Sequence, residues 1–182
     1  HGSARAALAA LPDIARAAGV DGYEICPEGV VVAELRSAKA CGAKLILWGG
    51  PDYPGGLMDV PDAPPILWAK GDTGLLRRPM VALVGARNAS SLGLRMARRL
   101  AEGEGAGGQV VVSGLARGID AEAHRAALQT GTVAVLAGGV DVIYPEENTR
   151  LAAEIAEQGC LVSEQAMGVV AQTRHFPLRN RI

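Results

Sequence analysis

Apolar and polar positions follow two rhythms along this chain. From Pro79 onward, short continuous apolar runs alternate with longer stretches in which apolar residues recur every three or four positions. Met80 to Val84, Val110 to Val112, Thr132 to Leu136 and Cys160 to Val162 are the short runs, unbroken as in strands buried on both faces. Ser91 to about Glu102, Asp120 to Gln129 and Asn148 or Thr149 to Gln158 carry the helical period. Asp120 is placed as an acidic N-cap, and Gly159 ends the last helix. Strand and helix alternating at this spacing predict parallel βαβ units and an α/β sheet. After Ser163 the chain reads as irregular up to Ile182.

Before Pro79 the rhythm is helical, then broken. Ser3 to Ala18 is alanine-rich, and Pro12 predicts a break with a second helix running to Gly19. Glu28 to Cys41 repeats the pattern and Gly42 caps it. Ala43 to Trp48 and Ile66 to Ala69 read as short strands within a stretch punctuated by Gly49, Gly50, Pro51, Pro54, Gly55, Gly56, Pro61, Pro64 and Pro65. The expected division is therefore a small helical domain with linker over residues 1–72 and a sheet domain over 73–182.

Composition narrows the function classes. The 182 residues are 49% hydrophobic and 20% charged, the balance of a globular chain with a core. No apolar run approaches the ~18 residues of a membrane helix, and no targeting segment is visible, so the expected compartment is the cytoplasm. The 3 cysteines, Cys26, Cys41 and Cys160, are scattered and read as small hydrophobes rather than disulfide or metal ligands. A net charge of -1 provides no global field for a polyanion, so any nucleic-acid contact must be local. Lysine occurs only at positions 39, 44 and 70, so arginine supplies the other cations. Aromatic residues are 3%, which limits base stacking to one or two rings.

The loops after the strands carry the candidate chemistry. In an open parallel sheet, ligands sit beyond the carboxyl ends of the strands, at the point where strand order reverses. A strand order of third, second, first, fourth would put the loop Gly85 to Ser90 opposite the segment after Ser163, with the loop Ser113 to Asp120 beside it. It would also leave the fourth strand as a bare edge. Arg87, Arg117, Arg179 and Arg181 would then ring one crevice with helix N-termini, an arrangement that suits phosphate. A dinucleotide site is disfavoured. Position 87 is arginine where a second glycine would lie, and the second strand ends in Ser113 and Gly114 rather than an acidic residue. No phosphate-binding G-x-x-x-x-G-K-[ST] loop occurs. A polymer phosphate backbone or a nucleoside monophosphate remains.

Plainer roles compete at several positions. Arg117 can pair with Asp120 or Glu122, and His124 suits a structural hydrogen bond better than base catalysis. Asp141, Glu146 and Glu147 suit a solvated loop and a helix N-terminus. Phe176, the one phenylalanine, fits either the core or an unstacked base.

Five motifs in order resemble one family. They are Val84 to Ser90; Val112 to Asp120 with Ala123 and His124; Gly138 to Asp141 with Tyr144, Pro145 and Asn148; Ser163 with Glu164; and Phe176 to Arg181. Together they resemble the bacterial DNA-processing proteins called DprA or Smf, and they span nearly all of Pro79 to Ile182. The segment before them is similar to that family's N-terminal helical region. The resemblance implies an extended Rossmann fold that binds single-stranded DNA without sequence preference, with no nucleotide cofactor, metal or catalysis. It implies protection of incoming strands and loading of RecA during natural transformation, with a homodimer as the working unit. Gly85, Arg87, Ser90, Ser113, Gly114 and Arg117 match the phosphate-contacting loops. Phe176 matches the ring that engages a base, and Arg179 and Arg181 match the basic cluster beside it. Asp120, Asp141 and Asn180 match structural hydrogen-bonding positions. The chain departs from the family at Gln165, where proline is usual after the Ser-Glu pair. The absence of an initial methionine and the stop at Ile182 within a motif suggest part of a longer chain. The competing reading is an enzyme of the lysine-decarboxylase-like phosphoribohydrolase group. Its P-G-G-x-G-T-x-x-E hallmark is missing from Ala137 to Tyr144.

Overall fold

The fold is known from a computed structural model that describes residues 1–182. The chain forms two compact units, His1–Arg36 and Ser37–Ile182. In the first, Ser3 caps helix α1 (Ala4–Ala17) by accepting from the Ala6 amide at 3.1 Å. Pro12 lies inside α1, so the expected break is absent. No α1 residue is buried, so water can satisfy the Leu8 carbonyl left without its helical partner. Helix α2 (Glu28–Cys41) matches its predicted span.

The second unit is built on one sheet. Its strands are β1 (Lys44–Leu47), β2 (Ile66–Gly71), β3 (Met80–Ala82), β4 (Val110–Ser113), β5 (Thr132–Val135) and β6 (Cys160–Ser163). The spatial order is β1-β2-β6-β5-β4-β3. The strands β3 to β6 run parallel in register, while β1 and β2 are antiparallel additions. Residues 44–71, read in the sequence as part of a helical appendage and linker, therefore build one side of the sheet.

This order corrects the expected reversal. The four parallel strands lie side by side in chain order, so no switch point falls between them. The strand β6 is not an edge, because Trp68 to Gly71 pair with Ser163 to Cys160. Sequence periodicity cannot supply strand order, and the short β2 run gave no signal of its partner.

Right-handed crossovers in one direction place α3 (Ser91–Ala106), α4 (Ile119–Ala127) and α5 (Thr149–Gln158) on the same face. Alternation along each strand sorts the core accordingly. Val81, Val111, Ala134 and Leu161 pack toward these helices, against Ala101, Ala123, Ala127, Leu151 and Ile155. Val110, Val133, Val135, Cys160 and Val162 point the other way, onto Tyr53, Leu57, Leu75 and Leu76. Cys160 is buried, and burial pushes its thiol pKa up to about 12, consistent with a thiol used as a hydrophobe. The irregular tail contains one more helix, α6 (His175–Arg179). No helix is long and apolar enough to cross a membrane.

Candidate nucleic-acid interface

The loops at the carboxyl ends of β3 and β4 are locked together through Asp120. Its carboxylate accepts from the Gly85 amide at 3.4 Å and from the Gly114 and Ala116 amides at 3.1 and 3.3 Å. Asp120 is therefore not the N-cap of α4; that place is taken by Gly118, which makes no side-chain cap. A residue in the first helical turn can bond backward to its own loop, and here that use prevails. Gly118 has φ +73°, and a side chain there would run into the Ala86 and Arg87 carbonyls. The two loop backbones touch at this point, and the Ile119 amide donates to the Ala86 carbonyl at 3.2 Å.

Between the two glycines, Leu115 adopts a φ of +56°. For a bulky residue this costs on the order of 1–3 kcal/mol, so the surroundings must hold it. They do: the side chain is fully buried, and the Asn148 amide donates to the Leu115 carbonyl at 2.9 Å.

Five of the sequence-predicted residues meet in one cleft of about 240 Å³: Arg87, Gly114, Arg117, Phe176 and Arg179. The Arg87 guanidinium lies over the Phe176 ring, 5.8 Å from its centre. Tyr144 packs against the same ring at 5.7 Å and 60°, and the residue is 53% exposed. Arg117 pairs with Glu147 at 2.6 Å, rather than with the Asp120 or Glu122 considered from sequence. Arg179 donates to the Gly114 carbonyl at 2.8 Å and to the Val135 carbonyl at 2.9 Å. Burial holds its pKa below the ordinary arginine value; Asp120 opposes that shift and Arg87 adds to it.

Gly85, Ser113 and Arg181 line an adjoining cleft that shares Arg87, Gly114 and Arg179 with the first. The Ser113 hydroxyl is buried and donates to the Leu83 carbonyl at 2.6 Å. Arg181 donates to both Glu164 oxygens and pairs with Asp62 at 3.0 Å. Hydrogen bonding to Glu164 is the main reason its pKa is raised. Ser90 caps α3 by accepting from the Gly93 amide at 3.1 Å. Away from the clefts, Asp141 accepts from the Gly168 amide at 2.9 Å. Asn180 accepts from Arg179 at 3.0 Å. His124 is fully buried on α4, with Nδ1 2.7 Å from the Thr132 hydroxyl.

Tyr144, Asn148 and Glu147 acquire roles here that the sequence reading did not give them. A tyrosine before a proline, in the loop that follows a parallel strand, was the available signal for Tyr144. Glu147 and Asn148 act through tertiary contacts, with Arg117 across the cleft and with Leu115, which local sequence does not encode.

Residues 44–182 match the family model of DNA recombination-mediator protein A, and residues 1–37 match a DprA-like N-terminal HHH domain. The chain is 44% identical over 132 residues to DNA processing protein DprA of Streptococcus pneumoniae, covering 71% of this chain and 46% of that protein. It is 42% identical over 133 residues to Protein Smf of Escherichia coli, covering 71% of this chain and 36% of that protein. The chain thus spans less than half the length of these relatives. The solved structure of DNA processing protein A from S. pneumoniae superposes with a TM-score of 0.73 at 33% identity, over 94% of this chain and 67% of that one. That from Helicobacter pylori, studied for its single-stranded DNA binding mode, gives 0.70 at 30% identity, over 76% of this chain and 62% of that one. The glycine loops, the arginines around Phe176 and the sheet that carries them all lie within the residues that match, and the chain belongs to the DNA recombination-mediator protein A family.

Proposed function

We propose that this chain binds single-stranded DNA without sequence preference. The observation that carries the reading is the Arg87–Phe176–Tyr144 cluster, set beside the two glycine loops that Asp120 pins together. Guanidinium groups take phosphate, and a ring face takes any base, so the combination is blind to sequence. Rings can engage only bases that are already unstacked, which favours a single strand over a duplex. Arg87 and Arg117 would meet phosphates beside the Gly85 and Gly114 loops, whose amides Asp120 holds in place, with Ser90 and Ser113 fixing the loop ends. Phe176 and Tyr144 would meet a base, Arg179 would add positive potential from behind, and Arg181, held by Glu164 and Asp62, would support the wall of the interface.

For the longer protein we propose protection of incoming strands, loading of RecA during natural transformation and action as a homodimer in the cytoplasm, with no catalytic step; family membership supports this reading. The test is fluorescence anisotropy of labelled oligo-dT with the full-length protein across a salt series, with duplex as competitor. Tight, salt-sensitive binding that duplex does not displace supports the reading. Absence of binding by folded protein overturns it, and turnover of nucleoside monophosphates would then establish the phosphoribohydrolase alternative.

A further inference from the structure

Helix α3 carries a second surface, separate from the Phe176 cleft. Its inner face is buried through Ala97, Ala101 and Gly105. On its outer face Leu92, Met96 and Leu100 recur every four residues, 65%, 52% and 46% exposed. That spacing makes one continuous aliphatic stripe, since residues four apart stack on the same side of a helix. Side chains this large are exposed singly on many proteins, but a contiguous run marks an interaction site.

The stripe is bordered by cations. An open cleft of about 610 Å³ along α3, with Glu122 of α4 at its side, is lined by Leu92 and Met96 together with Arg95, Arg98 and Arg99. The one carboxylate in its lining, Glu122, is already bound to Arg98 at 2.5 Å and lies 3.8 Å from Arg125. Arg95 and Arg99 take part in none of the chain's ion pairs. The cleft is therefore aliphatic in its floor and positive at its rim.

We propose that this cleft docks a protein partner through a segment that combines aliphatic side chains with carboxylates. An amphipathic helix laid in the groove would place its apolar residues on the Leu92–Met96–Leu100 stripe and its acidic flank against Arg95 and Arg99. Nucleic acid fits the rim but not the floor, because no aromatic ring lines the cleft for base stacking. A second copy of the chain fits the floor but not the rim. Across a two-fold axis, Arg95, Arg98 and Arg99 would face their own counterparts.

The test uses full-length protein and a labelled, short helical peptide with leucines on one face and glutamates on the other. Two control peptides replace the leucines with serine or the glutamates with lysine. The expected result is saturable binding of the first peptide only, weakened about tenfold by the double substitution Arg95→Glu/Arg99→Glu, since each exposed charge contact contributes under about 1 kcal/mol. Both positions are solvent-exposed, and an unchanged melting temperature verifies the fold of the variant. Absence of peptide binding, or equal binding to the double variant, overturns the proposal. A loss of oligo-dT affinity and salt slope in that variant would reassign the surface to DNA. A dimer in sedimentation that Leu92→Glu dissociates would reassign it to self-association. Oligo-dT binding by the unsubstituted protein is scored separately, so a failure here leaves the reading of the Phe176 cleft intact.

Discussion

The Arg179 guanidinium occupies the space that a side chain at position 114 would need. Its Nη1 reaches the Gly114 carbonyl at 2.8 Å, and a Cβ built on Gly114 would collide with the guanidinium itself. One helix after β6 is thereby fastened to the loop after β4 by a residue that has no side chain. Gly114→Ala should expel Arg179 and leave the Gly114 and Val135 carbonyls short of a donor. The expected cost is about 1–3 kcal/mol in denaturant unfolding, with weaker oligo-dT binding. Adding Arg179→Ala to Gly114→Ala should cost little more, because both changes break the same contact. Additive costs would show that the two residues act separately.

Arg87 and Arg181 should separate in a salt titration. Arg87 lies over a ring at the mouth of the cleft, whereas Arg181 is held by Glu164 and Asp62. Arg87→Ala should lower the slope of log affinity against log salt by about 0.7, the contribution of one phosphate on a single strand. Arg181→Ala should chiefly lower the melting temperature. Identical slopes for Arg87→Ala and the unsubstituted protein would remove Arg87 from the phosphate contacts.

The two rings should differ in what their loss does. Tyr144 presents an open face, while Phe176 is backed by Tyr144 and covered by Arg87. Phe176→Ala should cost ~1–3 kcal/mol of oligo-dT affinity per base engaged, and it should also free Arg87 and Tyr144. Tyr144→Ala should weaken binding with little effect on unfolding. If neither change affects affinity, the rings serve only to close the cleft wall.

His124 predicts an acid-side loss of stability. Burial is the main reason its pKa is lowered from 6.5 to about 3, with Arg125 and Arg179 adding to it. Between those values the unfolded chain binds a proton that the folded chain does not, so stability falls as pH drops from 6.5 toward 3. The loss should approach about 1.4 kcal/mol per pH unit from this group alone. His124→Gln should flatten that part of the curve; an unchanged curve would assign the acid loss to other groups.

Elements were legible where one period dominated. The spans of α2, α5 and the parallel strands follow directly from apolar spacing and from stops such as Gly42 and Gly159. Site residues were legible as motifs, and Arg87, Gly114, Arg117, Phe176 and Arg179 do line one cleft. What the sequence could not show was geometry between distant segments. The pairing of β2 with β6 lies there, as does the use of Asp120 by loop amides rather than as a helix cap. Pro12 lies inside an exposed helix, where water can take the place of the lost hydrogen bond and the chain carries on through it.

Strand order has a consequence for how the loops are coupled. Here β3, β4, β5 and β6 advance like consecutive steps. The chain after β6 returns across them: Arg179 bonds the Gly114 and Val135 carbonyls, and Phe176 reaches Arg87 beyond β3. The first and last steps are thereby tied to each other, so a disturbance at Phe176 is felt in the Arg87 loop.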